Sequence, residues 1–134
     1  MVRWLFTVHG TASPTASGQS GVFTLTTPDV YGSFSFIRIP SGFKAKIWAK
    51  RIGGTAAFMA IVNFAPDATV PNPNWVAIDR EYLASAGTLE LEKRRPIVVY
   101  GKSGTEGIQF AYSNTGGSGT IFIDADIELT DEEE

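Results

Sequence analysis

The chain has 134 residues, a formal net charge of -3 and no cysteine. It is long enough for one domain with a full hydrophobic core, and the missing cysteines exclude a disulfide framework or a thiolate metal site. An acidic balance disfavours polyanions as partners, and no apolar stretch is long enough to span a bilayer as a helix.

Period-two patterning begins at the N-terminus. Arg3 precedes Trp4-Leu5-Phe6, but Thr7 and His9 break the apolar run. It is too short for the apolar region of a signal peptide, so an uncleaved N-terminal strand is expected. Thr11 to Ser20 is built from small residues and reads as a surface arm, so residues 1–20 form strand plus arm. Gly21 to Thr27 and Ser33 to Ile39 alternate apolar and polar residues of β-favouring types. Pro40 stops the second of these, and Ser41-Gly42 makes a turn. Phe43 to Ile52 is the next strand, closed by Gly53-Gly54. Ala57 to Phe64 is nearly all apolar and predicts a central strand buried on both faces.

Pro66 to Asn74 holds three prolines and two asparagines and reads as an ordered loop. Trp75 to Ile78 predicts a short strand. Asp79 to Gly87 is the single helical candidate, with Asp79 as N-cap and Gly87 as stop. Strands resume at Thr88 to Glu92, Pro96 to Tyr100, Gly107 to Ser113 and Gly119 to Leu129, separated by turns rich in Gly and Ser. Residues 130–134 form an acidic tail. The expectation is one all-β domain over residues 1–134. It is an antiparallel, jelly-roll-like β-sandwich of about eight to ten strands with at most one short helix.

Two strands carry charged faces. From Phe43 to Arg51, Phe43, Ala45, Ile47 and Ala49 face one way and Lys44, Lys46, Trp48 and Lys50 the other. In the last strand, Ile121, Ile123, Ala125, Ile127 and Leu129 form a core face, opposite Phe122, Asp124, Asp126 and Glu128. A lysine ladder and a carboxylate ladder can pair within one sheet or between copies of the molecule. We read Lys44, Lys46, Trp48, Lys50, Asp124, Asp126 and Glu128 as a subunit interface, with Trp48 as its anchor. Aromatics beside lysines also suit single-stranded nucleic acid. The supporting cations, Arg38, Arg51 and the Lys93-Arg94-Arg95 turn, are too few for that reading. Asn72, Asn74, Trp75 and Tyr82 supply aromatic and amide groups for an alternative, glycan-binding site.

Little points to catalysis. His9 is the single histidine, which disfavours zinc, and no nucleophile-elbow sequence accompanies it. Asp79 and Glu81 could serve as a glycosidase pair, but nothing places them across a cleft. Asp124 and Asp126 lack the glycine-punctuated loop of a strong calcium site. Gly101, Gly104 and Gly107 precede a strand, so they are hairpin glycines and no phosphate cradle. No catalytic residue, metal or cofactor is assigned.

Three segments carry a family resemblance: Ile37-Arg38-Ile39-Pro40-Ser41-Gly42-Phe43, Pro96-Ile97-Val98-Val99-Tyr100-Gly101, and Gln109 to Gly116 followed by Gly119 to Leu129. From Gly21 onward their order resembles the small single jelly-roll capsid and capsid-accessory proteins of viruses from hot environments. Tumour-necrosis-factor-like jelly rolls and carbohydrate-binding modules share the pattern. The resemblance implies a non-enzymatic virion protein that forms a homo-oligomer, trimeric or higher, and meets other virion proteins. The alternative is a carbohydrate-binding module or lectin-like receptor-binding domain.

Overall fold

The computed structural model describes residues 2–28, 30–91 and 95–131. Lys93 and Arg94 of the basic turn and Glu132 to Glu134 of the acidic tail lie outside these described residues. Twelve strands and no helix are found among the described residues: β1 (Arg3–Ala12), β2 (Ser20–Val22), β3 (Thr24–Thr27), β4 (Val30–Phe34), β5 (Ile37–Arg38), β6 (Lys44–Gly54), β7 (Phe58–Ala65), β8 (Val76–Leu83), β9 (Gly87–Glu90), β10 (Ile97–Tyr100), β11 (Gly107–Asn114) and β12 (Ile121–Thr130). They form two antiparallel sheets. The seven-stranded sheet runs β10-β6-β12-β1-β3-β4, with β9 also on β6, and the five-stranded sheet runs β2-β11-β7-β8, with β5 also on β11.

The inner faces of both sheets meet in one core. Val8, Leu25, Ile47, Ile52, Ile121, Ile123 and Ile127 come from the first sheet, and Phe58, Val62, Ile108 and Phe110 from the second. Their partners in sequence are polar or small, so the pleat assigns each side chain to one face. Phe23 lies at the junction of the sheets, with its ring edge-on to Phe58 and Tyr112.

The structure corrects several expectations. Asp79 to Leu83 is no helix; it belongs to β8, paired with β7 from Phe58↔Leu83 to Phe64↔Val76. The local helix signal was a cap and a stop without an apolar stripe, and the period-two burial of β8 prevails. Gly21 to Thr27 is two strands. The chain leaves β11 after Val22 and joins β1 at Thr24, while the Phe23 N–H still donates to the Phe110 carbonyl. Ser33 to Ile39 divides in the same way between β4 and β5. β7 is central in its sheet, as its apolar run predicts, but one face only half-buries Met59, Ile61 and Asn63. β1 lies inside the seven-stranded sheet, paired with β12 over ten residues and with β3.

Candidate functional site

β6 and β12 are neighbours, and this decides the fate of the two ladders. Glu128 stands opposite Lys46, Asp126 opposite Trp48 and Asp124 opposite Arg51. The register shifts between Asp124 and Ala125, which leaves Lys50 as an extra residue on β6. This bulge turns both Lys50 and Arg51 outward and returns Ile52 to the core. Ion pairs follow at 3.8 Å (Lys46–Glu128), 3.6 Å (Lys50–Asp126) and 3.4 Å (Arg51–Asp124).

β1 flanks the carboxylates from the other side. Arg3 Nε donates to Glu128 at 2.7 Å, Thr7 Oγ1 donates to Asp126 at 2.6 Å, and His9 Nδ1 bonds Asp124. The carboxylate ladder is therefore matched on both sides within one copy of the chain. Glu128 is buried although it lies on the outward side, flanked by the long side chains of Arg3 and Lys46, and Lys44 is buried as well.

Above this ladder lies a shallow groove of about 630 Å³. β12 supplies its floor with Asp126 and Glu128. Arg3 and Leu5 form one wall, Trp48 and Lys50 the other, and Glu90 and Leu91 close the end. The floor carboxylates are the more sheltered partners of their pairs: the Glu128 side chain is 7% exposed against 58% for Arg3.

The four residues of the expected glycan site do not come together. Asn72, Asn74 and Trp75 lie before β8, whereas Tyr82 is near its far end, next to Thr115. Seven residues of strand separate Trp75 from Tyr82 by about 23 Å. Trp75 is half-buried, tilted against Phe36, and with Ala68 it covers Gly107, where a Cβ would collide with Ala68.

The outer face of the five-stranded sheet has a different character. Its rows are Ser20-Ser113-Met59-Tyr82, Val22-Ala111-Ile61-Arg80 and Gln109-Asn63-Ala77. Arg80 is the one charge in these rows. Asn63 donates to Gln109 within the face at 3.1 Å. Sequence reasoning missed this surface. Its signal was the uncharged alternation Gln109, Ala111, Ser113 and Met59, Ile61, Asn63, whose meaning depends on which strands lie side by side. Asp79 and Glu81 stand opposite Val62 and Ala60, in core-facing register, so they do not interrupt it.

Two buried polar groups hold the ends of the sandwich. Glu106 accepts from the backbone N–H groups of Lys102 (2.8 Å), Ser103 (3.3 Å) and Gly104 (3.1 Å). Burial pushes its carboxyl upward, but N–H groups of Lys102, Glu106 itself, Ser103 and Gly104 outweigh it and hold the pKa down to about 2. At the other end, fully buried Asn114 donates to the Ala16 and Gly117 carbonyls at 2.7 and 2.6 Å. This fastens the small-residue arm to the body. His9 is exposed and Asp124 half-buried on the ladder face, and the described residues contain no group of three or more His, Cys, Asp or Glu able to hold a metal.

No protein-family model and no curated protein sequence matches the chain. Among solved structures, it is similar to a chain of the disulfide-linked pili of Bacillus endospore appendages, at 10% identity and TM-score 0.39, over 97% of this chain and 91% of that one. It is also similar to a chain of infectious bursal disease virus strain Gx, at 9% identity and TM-score 0.43. That match covers all of this chain but only 34% of the viral one. A third similarity is to the Yersinia pseudotuberculosis-derived mitogen, at 16% identity and TM-score 0.28, over 74% of this chain and 86% of that one.

Two surfaces on opposite sides of the sandwich thus invite partners. One is grooved, charged and internally paired; the other carries few charges.

Proposed function

We propose that the chain is a non-enzymatic structural subunit of a virion, forming or decorating a capsid, that works by self-association. The observation that carries this reading is the outer face of the five-stranded sheet, with Met59, Ile61, Val22, Ala111 and Tyr82 among amides and hydroxyls, and with Arg80 and, at its edge, Arg38 as the charges among the described residues. A solvated sheet face is ordinarily polar, and depletion of charge marks the centre of protein interfaces. Two copies of such a face meet with little like-charge repulsion. The ladder face of β6 and β12 is the weaker choice for the contact, because its opposite charges are already satisfied within the chain. The virion setting rests on the strand-and-turn order described for the sequence.

Light scattering over a range of concentrations tests the reading. The wild type should be a defined oligomer. Ile61→Lys should dissociate it while the β spectrum stays unchanged, since loss of a hot spot costs about 2 kcal/mol or more, about a thirtyfold weakening. A wild type that is monomeric throughout would overturn self-association. Dissociation by Trp48→Ala, with Ile61→Lys without effect, would move the contact to the ladder face.

A further inference from the structure

We infer that the groove on the ladder face is a binding site for a neutral pyranose unit of a glycan, with Trp48 as its stacking platform. Its volume of about 630 Å³ falls in the range of small-ligand clefts. Indole and polar groups converge there from four strands and the segment after β9 that carries Leu91. The polar groups are held before any ligand arrives. Arg3 is fixed on Glu128, Lys50 faces Asp126, and Thr7 donates to the same Asp126. Such prior pairing lowers the ordering cost of binding.

The pairing also selects the ligand's charge. An anion entering the groove meets Asp126, Glu128 and Glu90; a cation meets Arg3 and Lys50. A polyol avoids both penalties, because each hydroxyl donates and accepts and so bridges neighbouring groups of opposite sign. Arg3 keeps donors beyond the one spent on Glu128, and the carboxylates keep unused lone pairs. The apolar C–H face of a pyranose ring matches the indole of Trp48 and the exposed side chain of Leu5. The site is separate from the face proposed for self-association, so occupancy and assembly can be measured independently.

The test is a titration followed through the indole N–H resonance of Trp48, assigned with Trp48→Phe. The probes are maltotriose, cellotriose, chitotriose and N-acetyllactosamine. At least one should shift that resonance saturably. Trp48→Ala should weaken binding about tenfold or more. Asp126→Asn, which retains shape and fold, should weaken it too, while Trp75→Ala should leave it unchanged. The inference is overturned if none of the four sugars shifts Trp48, or if affinity survives Trp48→Ala. It is equally overturned if sialyllactose or heparin binds in a salt-sensitive way where the neutral sugars do not.

Discussion

Glu106 offers the sharpest test of the structure. Its carboxylate closes the segment from Gly101 to Glu106, which carries the chain from β10 in one sheet to β11 in the other. That segment also receives Arg38 Nε on the Gly104 carbonyl and Ser41 Oγ on the Lys102 carbonyl, while Thr105 donates to the Pro66 carbonyl. Replacing Glu106 by Gln removes the charge that the surrounding backbone N–H groups share. Hydrogen bonds to a charged acceptor are worth more than neutral ones, but solvent at the edge of the loop screens part of the gain. A loss of about 1–2 kcal/mol is expected at pH 7, or roughly 3–10 °C in Tm. The pH dependence is the distinctive part. The folded pKa, about 2, lies below the ordinary value of 4.5. The carboxylate's contribution is therefore complete above about pH 4.5 and fades as pH falls towards 2. Urea denaturation at pH 7, 4 and 2.5 should show the wild type and Glu106→Gln converging in stability as acid is added. If the two curves run parallel over that window, the carboxylate is not cradled as described.

Three further outcomes are expected. Ile123→Asp, at a core position 2% exposed, should prevent folding, and a soluble variant with a native β spectrum would contradict the register of β12. Asn114→Ala leaves two carbonyls without their donor and should cost about 2–4 kcal/mol by chemical denaturation; a change within experimental scatter would mean that water replaces the amide. Lys46→Ala and Arg51→Ala should each cost no more than about 1 kcal/mol, because strand pairs at a wet surface contribute little, and a larger loss in thermal melts would show that the ladder is structural.

The two faces of β6 up to Lys50, and of β12, were legible in the sequence because outward polar or aromatic residues alternate there with apolar ones. Ile47, Ile121, Ile123 and Ile127 are all buried. The bulge at Lys50 was not legible, since two successive cations look like one more solvated step until the partner strand is known. The sheet change at Phe23 was hidden for a different reason. Phe23 and Leu25 are both fully buried, so the alternation continues while the hydrogen-bonding partner changes from β11 to β1. Periodicity reports which way a side chain faces, and both inner faces look into the same core. β8 was misread because as an edge strand it carries charge on both sides, Arg80 outward and Asp79 and Glu81 inward. The groove at Trp48 was half legible. Its tryptophan, Lys50 and carboxylates stood out, but Arg3 and Leu5 reach it only because β1 lies beside β12.

The antiparallel pairing of β1 with β12 sets how the molecule responds to force. Arg3 lies opposite Thr130, and the Val2 N–H donates to the Asp131 carboxylate at 2.6 Å, so the two ends of the described chain leave the same end of the sheet. Their ladder bonds run across the strands. Tension applied through the two ends is parallel to those bonds and loads them one after another, peeling β1 and β12 apart like a zipper. Tension applied along the strands, from opposite ends of the sheet, shears the ladder and loads its bonds together, so it meets higher resistance. The direction of pull relative to β1 and β12 thus sets the mechanical strength of this sandwich.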